Sequence, residues 1–362
     1  MSDREKWLVD GVLNNGDTSV GASLLRAVLT PLAFLHRWGL EAYLLPFALG
    51  WRKRFRLPVP VVSVGNLSSG GTGKTPATAF LAEHFVSTGK RVVILSRGHG
   101  GAGERANEPR IVSDGEKVLL SPEEAGDEPV LLANLLPGVP VIVCRDRRKS
   151  GRLAVEMFAP DIVLLDDGLQ YWQLHRDFDI ILLDAKAPFG NGYVLPRGLL
   201  REPPSHLARA DAVVLTRADR VDADTLARTK AHVQTFTRPG VPVLTATHTP
   251  EGWICAGKTL PLSALVGQKA VVFSAIADNE AFAVAVRNLG VEVVGSHFFP
   301  DHHAYTSADL QAIATTGAGA IGVTTEKDAV KLAALPTPLP FAVYALRIRL
   351  TIAGADALTE EL

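Results

Sequence analysis

At 362 residues, with 47% apolar and 21% charged side chains, the chain is long enough for two domains and a substantial core, and its composition excludes an intrinsically disordered protein. A net charge of −1 removes any general electrostatic ground for a nucleic-acid partner, so none is expected, and an electrostatic partner must be met by a local patch. The two cysteines, Cys144 and Cys255, lie far apart without a metal-ligand spacing, each in or beside an apolar run, so buried free thiols in a reducing compartment are expected.

The first fifteen residues are mixed and charged, unlike a signal peptide, and residues 1–17 read as a short helix or an ordered arm. From Ser19 to Arg56 the character changes. Leu24, Leu25, Val28, Leu29, Leu32, Phe34 and Leu35 are followed by Trp38, Leu40, Tyr43, Leu44, Leu45, Phe47, Leu49 and Trp51, then by Arg52, Lys53, Arg54 and Arg56. Arg26, Pro31, His36, Arg37, Glu41 and Pro46 interrupt the run, so no stretch reaches the ~18 to 20 apolar residues of a spanning helix. Two helices ending in a basic cluster are expected. They suit a membrane interface, with cations at anionic headgroups, and equally a pair of core helices.

Next comes an apolar β-branched strand, Val59 to Val64, broken by Pro60, and then Ser68-Ser69-Gly70-Gly71-Thr72-Gly73-Lys74-Thr75, with a helix expected from Pro76 to Phe85. Strand, glycine turn, Lys-Thr and helix make a phosphate-binding P-loop, although the strict pattern has glycine where this chain has Ser68. Gly70, Gly71 and Gly73 let the backbone aim several N–H groups at one anion, and the helix N-terminus adds its positive dipole end. Lys74 can reach the β- and γ-phosphates, and the Thr75 hydroxyl can ligate Mg²⁺. A nucleoside triphosphate site is implied.

A second buried strand, Arg91 to Ser96, leads into Arg97-Gly98-His99-Gly100-Gly101, a glycine turn at the carboxyl edge of a parallel sheet. Residues 102–120 read as loop and hairpin, Ser121 to Leu136 as a helix opened near Asp127-Glu128, and Pro140 to Cys144 as a third strand ending in Arg145, Asp146, Arg147, Arg148 and Lys149. A helix from Gly151 to Phe158 precedes the strand Asp161 to Leu165, which runs into Asp166-Asp167-Gly168. Strands Phe178 to Leu183 and Ala212 to Leu215 follow, the latter ending in Thr216-Arg217-Ala218-Asp219. This alternation predicts a mostly parallel sheet with helices on both faces. Punctuation at 238–242 and 249–257 marks a change of unit. A second α/β part is expected from Val271-Val272-Phe273-Ser274, with helices Glu280 to Leu289 and Thr306 to Thr315, strands Val291 to Val294 and Ile321 to Asp328, and a loop holding Asp301-His302-His303.

Asp166 and Asp167 stand where an apolar strand runs out, the place from which a P-loop enzyme holds Mg²⁺. Two adjacent carboxylates there are costly to bury without a cation. Asp127 and Glu128 read equally as helix caps. Arg147 is a candidate to grip phosphate among its cationic neighbours, which otherwise face water. His302 and His303 could supply a base, an orienter or metal ligands, but no Cys or Glu at ligand spacing completes a zinc set. Thr216-Arg217-Ala218-Asp219 is reminiscent of a guanine-reading element with Arg for Lys, so a nucleotide switch competes, as does a non-enzymatic membrane scaffold.

Taken together, the motifs resemble the tetraacyldisaccharide 4′-kinase family of the lipid A pathway, membrane-associated P-loop kinases. The resemblance rests on GNLSSGGTGKTP at 65–76, SRGHGG at 96–101, AGDEP at 125–129, RDRR at 145–148, LDDGLQ at 165–170, GNG at 190–192 with LPRGLLREP at 195–203, and FPDHHAY at 299–305. Two departures stand out: His99 where the family usually has tyrosine, and Leu169-Gln170-Tyr171 where it usually reads Phe-Gln-His. The resemblance implies ATP and Mg²⁺ as cofactors, and transfer of the γ-phosphate to the 4′-hydroxyl of a tetraacyldisaccharide 1-phosphate to form lipid IVA. It implies Asp127 as the base, oriented by His302, and Lys74 on the phosphates. Glu128, Asp166 and Asp167 would serve Mg²⁺ with Thr75; Arg97, Arg147 and Gln170 would contact nucleotide or substrate. It also implies a peripheral protein on the cytoplasmic face of the inner membrane of a Gram-negative bacterium. The expected organisation is a membrane-interface helical segment at 1–56, a P-loop kinase core at 57–245, and a smaller C-terminal α/β domain at 246–362 that closes over the site, bringing His302 to Asp127 once nucleotide is bound.

Overall fold

The computed structural model describes residues 7–13, 16–317, 319–335 and 338–358. Of the expected N-terminal arm, Trp7–Leu13 forms a short π-helix; residues 1–6, 14 and 15 lie outside the described residues.

The chain divides into two compact units, the first made of 1–97, 144–248 and 350–362, the second of 98–143 and 249–349. This differs from a simple succession of core and C-terminal domain: 98–143 belongs with the later segment, and the last residues return to the first unit. The reason is long-range packing. Helix Asp127–Leu135 lies against helix Glu326–Ala333, and no local pattern announces that contact.

In the first unit the strands run in the order Val243–Cys255, Ala212–Thr216, Phe178–Asp184, Val61–Asn66, Ile162–Asp166 and Val92–Ser96, all parallel, with Val243–Cys255 leaving the unit after His248. Every residue of Val61–Asn66, Val92–Ser96, Ile162–Asp166 and Ala212–Thr216 is buried, the mark of a parallel sheet covered on both faces. Helix Lys74–Ser87 packs on Val61–Asn66 and Ile162–Asp166, and helix Arg147–Phe158 on Val92–Ser96. Parallel strands deliver their carboxyl ends to one edge, so the residues that follow Asn66, Ser96, Asp166, Asp184 and Thr216 gather there.

The N-terminal apolar segment is one helix, Val20–Ala48, rather than two. Pro31 removes one hydrogen bond without ending the helix, and the Thr30 hydroxyl donates to the Arg26 carbonyl in the disturbed turn (2.7 Å). Pro46 falls in the last turn, where it does little harm. Ala22, Ala33, Leu44 and Phe47 form the buried face, with Ala33 set among Leu67, Leu169, Ile181 and Leu215. At 3.6 residues per turn, Leu24, Val28, Leu35, Trp38 and Leu45 share the opposite face, and all are exposed. No helix among the described residues is long and apolar enough to cross a membrane.

In the second unit, strands Glu292–Phe298, Lys269–Ser274, Ile321–Thr325 and Val343–Ala353 pair in parallel in that order, the last running on into the first unit beyond Arg349. Arg110–Ser113 and Val141–Val143 form an antiparallel pair. One core gathers Trp253, Val272, Phe282, Val323 and Leu346; another gathers Phe273, Tyr305, Leu310, Ile313 and Leu332. The single helix expected over Ser121 to Leu136 is broken into Pro122–Ala125 and Asp127–Leu135. Gly126 makes the break at φ +90, and a Cβ there would lie 2.6 Å from the His99 carbonyl, so only glycine fits. Ile321–Thr325 ends sooner than expected because Thr325 accepts from the Asp328 backbone and starts a helix. Cys144 is buried and Cys255 only partly so, where both were expected to be buried, and neither is in a disulfide.

Candidate active site

The phosphate-binding loop joins strand Val61–Asn66 to helix Lys74–Ser87 at the carboxyl edge of the first unit. Gly70 (φ +124) and Gly73 (φ +83) supply the turns that a side chain would strain. The loop is tied from within and without. Asn66 Nδ2 donates to Thr72 Oγ1 (2.8 Å), Ser69 N–H donates to the Leu199 carbonyl (2.6 Å), and Arg201 N–H donates to the Leu67 carbonyl (2.6 Å). Ser68 bridges Leu200. The segment 190–203 therefore serves as a wall for the loop. Lys74 Nζ lies 3.4 Å from Asn66 Oδ1 and 3.9 Å from Asp167 Oδ2, and Thr75 is buried beside it in the first turn.

Asp166 closes its strand almost fully buried, accepting hydrogen bonds from Thr78 Oγ1 (3.1 Å) and Ser96 Oγ (3.3 Å). Asp167 follows at φ +49, a left-handed conformation uncommon for non-glycine residues, though aspartate takes it more readily than most. Arg201 grips Asp167 with two nitrogens, at 2.9 and 3.1 Å, and also reaches Asn66 Oδ1. Partial burial works against ionisation of Asp167, but Lys74, Arg201 and Arg147 outweigh it and hold the carboxyl below its usual range. Thr75, Asp166 and Asp167 are hard oxygen donors. They fit Mg²⁺, which takes one or two protein carboxylates and completes its shell with water and phosphate oxygens. The described residues hold no group of three Asp, Glu, His or Cys side chains placed to hold a metal ion by themselves. Glu128 belongs to the second unit, 3.6 Å from Lys327 Nζ.

Arg147 opens its helix with its guanidinium over the Tyr171 ring (4.9 Å) and Nη1 donating to the Arg145 carbonyl. It is buried, its Nε has no hydrogen-bond partner, and burial pulls its pKa down against the neighbouring Asp167 and Asp166. A buried guanidinium with an unspent donor is a ready anion contact. Tyr171 donates to Asp146 Oδ1 (2.6 Å), and burial together with that carboxylate pushes its phenol up to about 12. Gln170 is engaged inside the unit: its Nε2 donates to the Asn66 carbonyl (3.0 Å) and to Glu202 (2.9 Å). Glu202, fully buried, also accepts from Arg209 and pairs with His206, and despite burial these partners bring it down to about 2. Arg97 stands exposed at the end of its strand.

Asp127 and His302 lie in the same unit, so their meeting needs no closure of one unit on the other. Asp127 sits at the first position of its helix, 8% exposed at the side chain, and His302 Nδ1 donates to its Oδ2 at 3.2 Å. His302 is held at φ +61 in the loop, with the His99 ring edge-on at 5.9 Å. Lys327 Nζ (3.7 Å) and Lys331 Nζ (3.6 Å) also face Asp127 Oδ2, and Lys327 reaches Asp301 (3.1 Å). Burial pushes the Asp127 carboxyl up, but the His302 hydrogen bond and the charges of Lys327, His302 and Lys331 hold it well below the carboxylate range. The Asp127 hydrogen bond raises His302, against burial and Lys327.

These directions set a pH window. Asp127 stabilises the fold above its unfolded value of ~3.9 and loses that contribution as pH falls through its depressed folded value. His302 contributes fully below ~6.5 and loses its share as pH rises through its raised folded value. The melting-temperature gap between the protein and His302→Gln is expected to be widest from about pH 4 to 6.5 and to narrow at higher pH. A gap that stays constant into alkaline solution would exclude the ion pair.

Sequence reasoning missed Asn66, Arg201, Lys327 and Lys331. Arg201 lies in LPRGLLREP at 195–203, where nothing local marks it as a partner of Asp167. Lys327 and Lys331 follow Thr325, whose capping pattern with Asp328 was the available signal. Arg217, in the element reminiscent of guanine reading, is turned elsewhere: it donates to the Gly71 carbonyl and to Asp184.

A family model described as tetraacyldisaccharide-1-P 4′-kinase matches residues 25–362. The chain is similar to a tetraacyldisaccharide 4′-kinase of Pelobacter propionicus, 40% identical over 343 residues and covering 93% of this chain and 92% of that protein. It is similar to another of Syntrophobacter fumaroxidans, 46% identical over 285 residues, 77% of this chain and 73% of that protein. Among solved structures it is similar to LpxK from Aquifex aeolicus, an "apo" form in complex with ATP, with 34% identity, a TM-score of 0.77, and coverage of 93% of this chain and 98% of that one.

Proposed function

We propose residue roles for this chain from the premise that it belongs to the tetraacyldisaccharide-1-P 4′-kinase family. As a member it is an ATP- and Mg²⁺-dependent kinase that transfers the γ-phosphoryl group to the 4′-hydroxyl of tetraacyldisaccharide 1-phosphate, forming lipid IVA. That excludes the nucleotide switch and the passive scaffold.

The observation that carries the role assignment is the hydrogen bond from His302 to Asp127. Asp127 accepts the proton of the 4′-hydroxyl as its oxygen forms a bond to the γ-phosphorus, the bond from that phosphorus to the β,γ-bridging oxygen breaks, and ADP leaves with the electron pair. His302 fixes the orientation of the carboxylate and balances its charge. A carboxylate this acidic is a weak base, which suffices where the transition state is loose and positioning does most of the work. The backbone of Ser68 to Gly73 cradles the phosphates, and Lys74 neutralises charge on the β- and γ-oxygens. Thr75, Asp166 and Asp167 would hold Mg²⁺ directly or through water; the ion, when bound, supplies neutralisation of the phosphate charge. Arg147 offers its unspent donor to phosphate, and Arg97 is an exposed second cation. Gln170 acts by holding Asn66 and Glu202 in place.

We assign residues 19–56 to the membrane surface. The support is the exposed stripe of Leu24, Val28, Leu35, Trp38 and Leu45 on the side of the helix opposite its packed face, followed by Arg52, Lys53, Arg54 and Arg56. Single exposed apolar residues are ordinary; a continuous stripe with a basic end has the make-up of an interfacial helix. With it we propose a peripheral position on the cytoplasmic face of a Gram-negative inner membrane. Trp38→Glu is expected to lower partition onto vesicles with anionic lipid by about tenfold or more while transfer to detergent-dispersed substrate persists. Unchanged vesicle flotation would remove the stripe from this role.

The defining assay is ³²P transfer from γ-labelled ATP, and then GTP, to detergent-dispersed tetraacyldisaccharide 1-phosphate with and without Mg²⁺. Mg²⁺-dependent lipid labelling from ATP is expected. Hydrolysis of GTP without lipid labelling would overturn the reading.

A further inference from the structure

Arg217 occupies a strained position with no place in the chemistry described above. It follows strand Ala212–Thr216 in a left-handed conformation at φ +56, unusual for a long side chain. The conformation aims its guanidinium in two directions. Nη1 pairs with Asp184 Oδ2 at 2.7 Å, at the end of the neighbouring strand Phe178–Asp184, and Nη2 donates to the Gly71 carbonyl at 2.6 Å. Asp184 is itself anchored, its other oxygen accepting from the Lys186 backbone at 2.9 Å. The charge of Arg217 is thereby balanced, and what it supplies to the loop is geometry.

We propose that Arg217 is a positioning residue for the phosphate-binding loop, clamping the Gly71 carbonyl so that the loop holds its anion-binding shape before ATP arrives. The Gly71–Thr72 peptide is planar, so fixing its carbonyl also fixes its N–H, which closes a tight turn on the Gly70 carbonyl at 3.1 Å. Gly73 is constrained on its own side: a Cβ there would meet His248 Nε2 at 3.1 Å, and burial, with the cations Arg217 and Arg220, brings that imidazole down to about 4, so it stays neutral. Ser69 is tied to Leu199 and Thr72 to Asn66. A glycine-rich loop without such ties has many conformations to lose on binding, and holding it in one conformation removes that cost from ATP affinity.

The inference rests on the P-loop being the ATP site. Mg²⁺·ATP binding is measured calorimetrically without lipid for the protein, Arg217→Met, Arg217→Lys and Asp184→Asn. The expected loss for Arg217→Met is about tenfold in ATP affinity, the scale of one charged hydrogen bond, with the lipid KM unchanged. Arg217→Lys, which keeps one donor, restores part of the loss. Asp184→Asn weakens binding less, and adding it to Arg217→Met costs nothing more, because Asp184 acts only through Arg217. ATP affinity unchanged in Arg217→Met overturns the clamp. So does an equal rise in the KM of ATP and lipid with a lowered melting temperature, the pattern of general destabilisation. Should Arg217→Met fail to fold, normal ATP affinity in both Arg217→Lys and Asp184→Asn overturns it as well. Absence of ATP binding by the unaltered protein overturns the nucleotide reading itself, a result distinct from either.

Discussion

Asp127→Asn is expected to lower phosphoryl transfer to the lipid by roughly 10²- to 10⁴-fold while leaving ATP affinity within about twofold, the range that a positioned general base contributes. The fold survives because none of the three cations around this carboxylate depends on it alone. Lys331 keeps Asp328 at 3.1 Å, Lys327 keeps Asp301 at 3.1 Å and Glu128 at 3.6 Å, and the asparagine oxygen can still accept from His302. A melting temperature near that of the parent protein, together with lost labelling of the lipid, therefore identifies chemistry rather than collapse. Labelling at the parent rate would leave the kinase intact and remove Asp127 from the role of base. His302→Gln is expected to fall between the two, since it removes the partner and leaves the base.

Lys74→Ala is expected to reduce transfer by about 10²- to 10³-fold, the loss seen when one preorganised donor to developing charge is removed, and to weaken ATP binding as well. Both partners of the lysine remain satisfied in the variant. Asp167 keeps its two bonds from Arg201, and Asn66 keeps Arg201 and Thr72, so the loop retains its ties. The readout that separates this lysine from Asp127 is nucleotide binding without lipid, which Lys74→Ala lowers and Asp127→Asn does not. If Lys74→Ala bound ATP and labelled lipid normally, the loop would not be the phosphate site.

Three of the residues at the candidate site, Asp167, Arg217 and His302, take left-handed backbone conformations although none is glycine. Each conformation is held by contacts of its side chain, with Arg201, with Asp184 and with Asp127 respectively. Strain of this kind persists only where the surroundings over-determine it, and here it coincides with the groups assigned to Mg²⁺, to the loop and to orienting the base.

Much of this was legible in the order of residues. The P-loop, the parallel α/β core and the strand-end aspartates follow from local rules, because apolar runs, glycine turns and caps act over a few neighbours, and parallel strands bring their ends to one edge. The structure redrew what depends on distant packing. One helix replaced two at the N-terminus, because Pro31 is tolerated in the helix interior while small residues on one face pack on the core. Gly126 split a helix and put Asp127 at the start of the next, a break dictated by the approach of the His99 carbonyl rather than by anything local. The segment 98–143 joined the later half of the chain through the packing of two helices nearly two hundred residues apart in sequence. Asp127 and His302 were named from sequence motifs. That they share one unit, ringed by Lys327 and Lys331, was decided by tertiary structure, because a carboxylate's charge environment is set by whichever side chains come within a few ångströms in space, and spacing along the chain carries no record of them.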